Sequence, residues 1–336
     1  MGTLAPETIL HQLADLWVSQ GKEGQAESGA GVLRACSMTL VVVSEAGDDA
    51  AALGETLAAL MPGHPARTIL VRVSGAGPAS LEERVYAQCW MPFGQRRQIC
   101  CEQVEITATD AALPDVPSVV LPLAVADLPL ILWCRSARVF AMPEFDALAA
   151  MAHKVIIDSA LVPGDARAAL ARLKRSAGGR MLGDLAWTRL TRWREMLSHV
   201  FENREIVSGA RSVSRVTVEY PGDAPNSSSL FMGAWVMDCL SAAGAKPQLA
   251  LAHGEWTGSD PAPLVMRVVL EGEGIFVELM RWTDRMVTTV NNLAQCTHLP
   301  LVTEYALVRE ELGIVRRDPV FERALASAAG VAYPNQ

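Results

Sequence analysis

The sequence predicts an α/β protein: an N-terminal, mostly parallel α/β sandwich domain followed by a smaller α+β domain with antiparallel strands. Two patterns support this fold class. Short apolar strand patterns alternate with helical spacing between residues 38 and 174, whereas three strand patterns follow one another between residues 264 and 292. At roughly 150 residues per domain, a chain of 336 residues has the length of two domains. A hydrophobic content of 50% and a mean hydropathy of +0.20 predict that both domains bury a core.

The N-terminal segment is predicted to lie outside both domains. Residues 6–18 have apolar side chains at helical spacing. The next segment, residues 19–31, is rich in Gly, Gln and Glu, which is typical of a flexible connector. We therefore expect residues 1–31 to form a helix and a connector.

The first domain is predicted to span residues 32–207. Its strand patterns cover residues 38–43, 68–73, 98–107, 130–133 and 154–157. Its helical patterns cover residues 49–60, 81–90, 144–151, 165–174 and 184–204. Because strands that alternate with helices usually pair in parallel, this order predicts a mostly parallel sheet.

The second domain is predicted to span residues 208–336, after a break at Ser208-Gly209. Its strand patterns cover residues 212–219, 264–271, 275–282 and 286–292, and its helical patterns cover residues 230–243, 300–311 and 319–329. The sequence Gly272-Glu273-Gly274 between two strands is a hairpin signal. This order predicts antiparallel strands with helices, an α+β arrangement.

Charge and composition exclude several classes of protein. The net charge is -8 and the pI is about 5.4, so we expect no binding to nucleic acid or to anionic lipid. No apolar run reaches the ~18 residues of a membrane span, and the N-terminus lacks the basic region of a secretory signal. The seven cysteines contain no Cys-x-x-Cys motif, which favours a reducing compartment. We expect a cytoplasmic protein.

The segment 184–201 is predicted to be one amphipathic helix with Asp184 as its N-cap. Trp187 and Trp193 lie on its apolar stripe together with Arg194, which then needs a carboxylate partner, while Arg192 and His199 lie on the polar side. The stripe could pack in a core, as burial statistics favour, or form a docking surface, because Trp and Arg are enriched in interface hot spots. The candidates for a partner interface are Trp187, Arg189, Arg192, Trp193, Arg194 and, from another segment, Asp127.

Asp127 lies between two Leu-Pro pairs, in a loop that the prolines stiffen. Its carboxylate could satisfy backbone amides of that loop, or the loop could contact a partner. Asp158 and Ser159 follow a hydrophobic strand, where parallel sheets place ligand-binding groups. Capping or turn formation explains both residues more simply. His64 and Arg67 complete the candidate ligand site.

The sequence contains no strong motif for catalysis or for a cofactor. Gly75-Ala76-Gly77-Pro78-Ala79-Ser80 has the position of a dinucleotide-binding turn, but Ser80 replaces the third glycine and Pro78 removes an amide donor. His64, His153, Cys100 and Cys101 lack the spacing of a zinc site and are interpreted as a turn histidine and buried thiols. We expect no catalytic residue, no metal and no cofactor.

Segments along most of the chain resemble one protein family. Asp184 to Glu195 reads Asp-Leu-x-Trp-x-Arg-Leu-Thr-x-Trp-Arg-Glu, which is similar to the signature of the glucose-6-phosphate dehydrogenase assembly proteins, the OpcA family. Further matching segments occur in the expected order: His64-Pro65-Ala66-Arg67, Cys101-Glu102-Gln103, residues 121–133, residues 155–159 and residues 310–320. The resemblance covers nearly the whole chain from about Leu33 onward.

This resemblance implies a non-catalytic assembly factor or allosteric activator. Its partner would be glucose-6-phosphate dehydrogenase, the first enzyme of the oxidative pentose phosphate pathway, with which it would form a hetero-oligomer. The alternative is a sugar-phosphate- or nucleotide-binding enzyme or sensor that uses the carboxyl edge of the first sheet. The resemblance leaves the stoichiometry, the contact surface and any redox role of a cysteine open.

Overall fold

The computed structural model describes residues 4–28, 32–91, 98–258 and 260–330, and it confirms the predicted α/β fold class. The chain divides into two compact units. The first consists of Met1–Ile157 with Gly178–Gly183, and the second of Asp158–Ala177 with Asp184–Gln336. Each unit is thus built from two separate stretches of chain. The domain boundary that we expect at residues 207/208 falls within the second unit, and it stays a prediction.

The first unit contains eight strands among its described residues. They are β1 (Val32–Arg34), β2 (Met38–Glu45), β3 (Ala66–Val73), β4 (Leu81–Trp90), β5 (Gln98–Ala108), β6 (Leu130–Cys134), β7 (Lys154–Ile157) and β8 (Met181–Asp184). The helices are α1 (Pro6–Ser28), α2 (Ala50–Leu60), α3 (Val116–Leu123), α4 (Ala137–Ala141) and α5 (Glu144–Ala150). Val41, Val42 and Val43 are fully buried, as expected for a central strand covered on both faces.

The strands form one sheet in the order β1-β5-β3-β2-β6-β7-β8. β2 pairs in parallel with β3 on one side and with β6 on the other. From β2 the chain first builds the sheet outward through β3 and β5, and then returns to the other side of β2 with β6. This is a doubly wound arrangement, in which the strand order reverses between β2 and β6.

β4 corrects one prediction, because residues 81–90 form a strand and not a helix. The strand pairs antiparallel with β5 along its whole length, from Leu81 opposite Ala108 to Trp90 opposite Ile99. Pairing with a neighbouring strand has overridden the local helical pattern. The glycine-containing turn at Gly75 and Gly77 therefore leads into a strand, whereas a dinucleotide-binding turn leads into a helix.

A disulfide bond joins β4 to β5. Cys89 and Cys100 are opposite each other in the register of the two strands and are bonded through their sulfur atoms. The interpretation of Cys100 as a buried thiol is therefore wrong. Cys101, which points to the other face of the strand, is a buried free cysteine, and burial raises the pKa of its thiol to about 11.

The N-terminal helix is longer than the sequence pattern predicts. α1 begins at Pro6 but continues to Ser28, through ten residues that were expected to form a flexible connector. Lys, Glu, Gln and Ala in this stretch favour a helix despite the two glycines. Residues 29–31 lie outside the described residues. No helix of the described ranges is long and apolar enough to cross a membrane.

The second unit contains seven helices and six strands among its described residues. The helices are α6 (Ala166–Arg175), α7 (Leu185–Thr188), α8 (Thr191–Val200), α9 (Arg204–Gly209), α10 (Ser227–Ala242), α11 (Glu304–Gly313) and α12 (Pro319–Ala328). The strands are β9 (Val213–Tyr220), β10 (Gln248–His253), β11 (Arg267–Gly272), β12 (Ile275–Trp282), β13 (Arg285–Val290) and β14 (Leu293–His298).

These strands form a mixed sheet in the order β10-β9-β11-β12-β13-β14. The four predicted strands, β9, β11, β12 and β13, form antiparallel pairs, and β14 extends them. β10 pairs in parallel with β9, and α10 forms the crossover between these two strands. β10 and β14 were not predicted from the sequence. Gly233 permits the close approach of α10 to β10, because a Cβ atom at this position would lie 3.0 Å from a methyl group of Leu249.

Candidate functional site

The segment that carries the family signature forms two short helices in place of the predicted single helix. Asp184 caps α7 as predicted, since its Oδ1 accepts a hydrogen bond from the backbone N–H of Ala186 at 2.9 Å. α7 ends at Thr188, whose hydroxyl lies 3.0 Å from the carbonyl oxygen of Asp184 and 2.6 Å from Glu311 Oε1. A threonine that bonds to the carbonyl four residues before it weakens a helix, and here the helix ends.

Trp187 and Trp193 are core residues, with exposures of only 3% and 4%. The Trp187 ring lies 5.6 Å from the ring of Phe231 and 6.0 Å from that of Phe321, measured between centroids. The two phenylalanine rings are themselves 5.9 Å apart, so the three rings form an aromatic cluster. The prediction that Trp187 and Trp193 contact a partner is therefore wrong, because neither side chain is accessible while this core is folded.

Arg194 does not form the ion pair that we predict for it. Its guanidinium lies 3.6 Å from the centroid of the Trp187 ring, and its Nη2 donates to Thr191 Oγ1 at 3.0 Å. In the described part of the chain, no carboxylate lies within 4 Å of it. Burial lowers the pKa of the guanidinium, and the carboxylates of Asp318 and Glu310 partly oppose that shift. A cation–π contact thus replaces the expected ion pair.

Arg189 forms the ion pair of this segment, with Asp158. Its Nη1 and Nη2 donate to the two carboxylate oxygens of Asp158 at 2.7 and 2.5 Å. The Asp158 side chain is 8% exposed and that of Arg189 is 28% exposed. Two parallel hydrogen bonds of this kind fix the orientation of both groups. Arg189 was expected at a partner interface and Asp158 at a ligand site. The two residues instead bind each other within the second unit.

Ser159 connects this ion pair to α10. Its backbone N–H donates to Asp184 Oδ1 at 3.0 Å, and its carbonyl oxygen accepts a hydrogen bond from Ser227 Oγ at 3.1 Å. Next to it, Ser228 Oγ donates to the carbonyl oxygen of Ala186 at 3.0 Å. The N-terminus of α10 is thereby held against residues 158–161 and against α7. The structure assigns Ser159 the role of a turn residue that holds helices together.

Asp184 is fully buried at the centre of this arrangement. Its Oδ1 accepts two backbone N–H bonds, from Ser159 and Ala186, while its Oδ2 has no hydrogen-bond partner among the described residues. Burial, together with the negative charge of Asp158, raises the pKa of Asp184 to about 7, and interactions with the side chain of Ser159 and with the backbone N–H groups of Ser159 and Ala186 partly oppose this rise. This carboxyl group is thus both a helix cap and a buried titrating group.

Arg192 and Asp127 remain accessible. The Arg192 side chain is 70% exposed and pairs with Glu195, three residues along α8, at 2.8 Å. Asp127 is exposed in the turn before β6 with a positive φ of 63°. Such a backbone conformation is tolerated by Asp in turns. These two are the interface candidates whose side chains lie on the surface of their own unit.

The four ligand candidates do not form one site. His64 lies in the turn after α2, where its backbone N–H donates to the carbonyl oxygen of Leu60 at 2.8 Å, and Arg67 lies near the amino end of β3. Asp158 and Ser159 follow the carboxyl end of β7. Because β3, β2, β6 and β7 run in the same direction, the amino end of β3 and the carboxyl end of β7 lie at opposite edges of the sheet.

Arg67 has a structural role in the first unit. It is 7% exposed, and its Nε donates to the carboxylate of Glu102 at 2.5 Å. The same carboxylate accepts a bond from Trp17 Nε1 of α1 at 2.5 Å and pairs with Arg34 at 2.8 Å. Glu102 thereby joins α1, β1 and β3 to β5. Arg67 is therefore occupied within the fold and is not available to a ligand.

Ion pairs fill the carboxyl edge of the first sheet where the strand order reverses. Arg138, at the start of α4, pairs with Glu45 at the end of β2 at 2.8 Å and with Asp110 at 2.7 Å. Beside them, Arg135 pairs with Asp48 at 2.9 Å. Open α/β sheets bind ligands in the crevice at this position. Here the crevice-forming loops are held by their own opposite charges, which the sequence analysis did not identify.

α2, the helix that follows β2, has the carboxylate of Asp49 at its N-terminus. Asp49 Oδ1 accepts hydrogen bonds from the backbone N–H groups of Ala51 and Ala52, at 2.9 and 3.1 Å. In dinucleotide-binding folds, the corresponding amides bind a phosphate group. The Asp49 carboxylate therefore caps these amides and adds a negative charge beside them.

Sequence models of one family match both parts of the chain. A model described as the N-terminal domain of a glucose-6-phosphate dehydrogenase subunit matches residues 58–175. A second model, described as the C-terminal domain of the same kind of protein, matches residues 180–325. Together they cover more than half of the chain.

Two curated proteins, each provisionally named OxPP cycle protein OpcA, are among the relatives. The protein of Nostoc punctiforme is 31% identical over 143 residues, which are 42% of this chain and 30% of the relative. The protein of Synechocystis is 23% identical over 191 residues, which are 56% of this chain and 39% of the relative. The chain thus matches about a third of the length of these curated relatives.

Solved structures of oxidoreductases are also similar to this chain, at low identity. A dehydrogenase from Chromobacterium violaceum has a TM-score of 0.47 and 11% identity, covering 88% of this chain and 93% of its own. Biliverdin reductase from Synechocystis has a TM-score of 0.43 and 9% identity, covering 87% and 97%. Likeness at these TM-scores supports no inference about function.

Proposed function

The chain belongs to the OpcA family of glucose-6-phosphate dehydrogenase assembly proteins, and on that premise we propose that it is a non-catalytic partner of this dehydrogenase. It binds the enzyme and raises its activity by favouring the active assembly. The complex is a hetero-oligomer in the cytoplasm. Neither a cofactor nor a catalytic group of this chain takes part.

The observation that carries the non-catalytic role is the state of the switch point in the first unit. The amides that would bind a pyrophosphate already bind the Asp49 carboxylate. The neighbouring loops are held by the ion pairs of Arg138 with Glu45 and Asp110. A nucleotide would have to displace these bonds and would meet three carboxylates.

The polar residues of the family signature also serve the fold. Arg189 binds Asp158, and Asp184 caps α7 and holds Ser159. These contacts are explained by the fold alone, whereas general acid–base and nucleophilic catalysis require contact with a substrate. This assignment favours a protein whose function is binding through its surface.

Activation then follows from differential binding. A partner that binds the active arrangement of an enzyme more tightly than the inactive one by ~1 to 3 kcal/mol shifts the equilibrium about 5- to 150-fold. No group of the activator needs to contact the substrate. The effect saturates when all dehydrogenase is bound, and the same coupling makes the active enzyme bind the activator more tightly.

The test is a titration of the cognate dehydrogenase with this protein. We expect a complex in size-exclusion chromatography and a saturable change in kcat or KM, with the change in activity following the fraction of enzyme bound. The protein alone is assayed in parallel for oxidation of glucose 6-phosphate and for NADP binding. The proposal would be wrong if the protein alone oxidised glucose 6-phosphate or bound NADP. It would also be wrong if the two proteins formed no complex at micromolar concentrations over a range of salt.

A further inference from the structure

The mixed sheet of the second unit has two faces that differ in burial. α10 packs on one face, where Gly233 approaches Leu249 beside Val216, its neighbour in the register. Because side chains alternate between the faces of a strand, Thr217 belongs to the opposite face. On that opposite face, every described strand side chain except Val269 is exposed or half-buried. We call this surface the open face.

The composition of the open face is that of an interface. On its four central strands it carries Arg215, Thr217 and Glu219 of β9, Arg267, Val269 and Glu271 of β11, Phe276, Glu278, Met280 and Trp282 of β12, and Arg285, Val287 and Thr289 of β13. Arginine, methionine and aromatic residues are enriched at protein interfaces, and lysine is depleted there. These strand positions contain the first three kinds and no lysine. The solvated face of an antiparallel sheet is normally polar, so this composition favours a covered surface.

Four charged residues of β9 and β11 form a checkerboard on the open face. Arg215 lies opposite Glu271 in the register, and Glu219 lies opposite Arg267. On each strand, the Arg and the Glu are separated by one uncharged side chain of the same face. Arg267 pairs with Glu219 at 2.9 Å. Arg215 and Glu271 are exposed, and neither forms an ion pair within the described part of the chain.

This checkerboard is complementary to a second copy of itself. Consider two open faces packed about a two-fold axis that crosses the strands midway between the Arg and the Glu of each strand. The axis exchanges the two ends of every strand, so Arg215 faces Glu219 of the second copy. In the same way, Glu271 faces Arg267 of the second copy. By symmetry, opposite charges meet at four positions, which favours this partner over one of uniform charge.

The same axis brings apolar groups together on β12. Phe276 lies opposite Glu271 in the register and Met280 lies opposite Arg267, so Phe276 of one copy faces Met280 of the other. A cavity of about 360 Å³, lined in part by Met280 and Arg267, opens at this point and receives the Phe276 ring. Glu278 lies at the axis, and its carboxylate accepts a hydrogen bond from Arg267 Nε of its own copy at 2.5 Å. This bond offsets the repulsion between the two Glu278 carboxylates.

The net charge and the size of the open face also suit a second copy. The whole chain carries a charge of -8, so two copies repel each other over most of their surface. The four central strands of the open face carry as many Arg as Glu residues, so this face does not repel its copy. Six strands about 4.8 Å apart and three rows of side chains about 6.8 Å apart give an area of about 580 Å². Two such faces bury about 1,200 Å², the lower end of the range for stable interfaces.

We propose that the open faces of two copies pack against each other about this axis and form a symmetric dimer. The contact is isologous, because the same surface of both copies takes part. Packed sheets lie about 10 Å apart, a distance that Arg and Glu side chains reaching from both sides span. This inference goes beyond the proposed function and does not depend on it, because the dimer forms from this chain alone.

Charge reversal followed by mixing tests the pairing across the axis, with sedimentation equilibrium of the full-length protein as the measurement. Arg215→Glu and Glu219→Arg each place like charges opposite one another, and we expect each to weaken the dimer about 30-fold or more. An equimolar mixture of the two variants has opposite charges at both of these positions. We expect it to form a heterodimer at least about tenfold tighter than either variant alone. Arg192→Glu, the same change of charge on the exposed face of α8, is the control and leaves the dimer within about threefold.

The apolar contact is tested with Phe276→Glu, which we expect to weaken the dimer about 30-fold or more. Its control is Leu293→Glu, since Leu293 is exposed at the start of β14 but belongs to the other face of the sheet. We expect the control to leave the dimer within about threefold. Urea unfolding checks that each variant folds, and if Phe276→Glu does not fold, the mixing experiment decides the question.

Each outcome supports or overturns the dimer. If wild-type protein is a monomer up to about 100 µM, the inference is wrong. If it is a dimer that the variants of the open face do not weaken, another surface forms the dimer. If the mixture is as weak as its components, the proposed axis is wrong. If wild-type protein is a monomer and Arg215→Glu abolishes its binding to the dehydrogenase, that enzyme covers the open face and a second copy does not. Failure of the dehydrogenase titration alone leaves the dimer untouched.

Discussion

The substitution Asp184→Asn isolates the effect of one buried carboxyl group. Asn keeps the Oδ1 atom that accepts the N–H bonds of Ser159 and Ala186, so the cap of α7 is preserved. The Asn side chain cannot ionise, so the variant carries no negative charge at this position. Wild-type Asp184 titrates near pH 7 in the folded protein and near its ordinary value of 3.8 when unfolded.

The sign of the effect follows from this raised pKa. Below about pH 4 the group is protonated in both states, and it does not oppose folding. As the pH rises toward about 7, the unfolded chain ionises while the folded protein resists, so wild-type stability falls. The difference between pKa values of about 7 and 3.8 corresponds to about 4 kcal/mol in total. Between about pH 5.5 and 8.5, the loss is about 2 kcal/mol.

The assay is urea unfolding of wild-type protein and Asp184→Asn across this pH range. Subtracting the two free energies of unfolding removes the contributions of groups that titrate in both proteins. We expect wild type to lose about 2 kcal/mol relative to the variant from pH 5.5 to 8.5. Asp165→Asn is the matched control, because Asp165 caps α6 in the same way while its side chain is half-exposed.

A free-energy difference that does not change with pH for Asp184→Asn would refute this reasoning. It would mean that the buried carboxyl group is ionised at no cost, or that the charge is relieved by movement of the surrounding chain. A slope of equal size for Asp165→Asn would show that the effect belongs to helix capping in general and not to burial.

Four further substitutions test the contacts of the family signature by urea unfolding. Arg189→Ala leaves the largely buried Asp158 without its partner and should cost about 2 to 4 kcal/mol, whereas Arg192→Ala on the surface should cost less than about 0.5 kcal/mol. Trp187→Ala should cost about 3 to 5 kcal/mol because it removes a ring from the aromatic cluster. Arg194→Ala should cost only about 1 kcal/mol, since a cation–π contact is lost and no ion pair; a loss above about 3 kcal/mol would contradict this assignment.

Local patterns were sufficient to predict most elements of the fold. The continuous apolar run at β2 correctly predicted a buried strand, because a strand covered on both faces needs no polar residue. The error at residues 81–90 has a physical cause: β4 is stabilised by its partner β5, which the window around Leu81 does not contain. β10 was missed for the same reason, since its pairing with β9 depends on the crossover through α10.

The candidate site shows the same limit. The cap at Asp184 is a local signal and was predicted correctly. The ion partner of Arg189 lies 31 residues away at Asp158, and periodicity along one helix cannot identify it. Arg194 was expected to need a carboxylate, because the pattern showed that it lies on the apolar stripe but not that a tryptophan ring would face it.

Residues 158–177 belong to the second unit although residues 178–183 belong to the first, and this order has a consequence for synthesis of the chain. The first unit is complete once Gly183 has left the ribosome, but residues 158–177 belong to the second unit. Their helix, α6, buries Leu170 and Leu173 in that unit, which is not complete until α12 ends at Ala328. At 5 to 20 residues per second, the remaining stretch of about 145 residues takes roughly 7 to 30 s to synthesise. For that time, α6 lacks the helices α10 and α12 that it contacts in the second unit, so the apolar face that carries Leu170 and Leu173 has no partner.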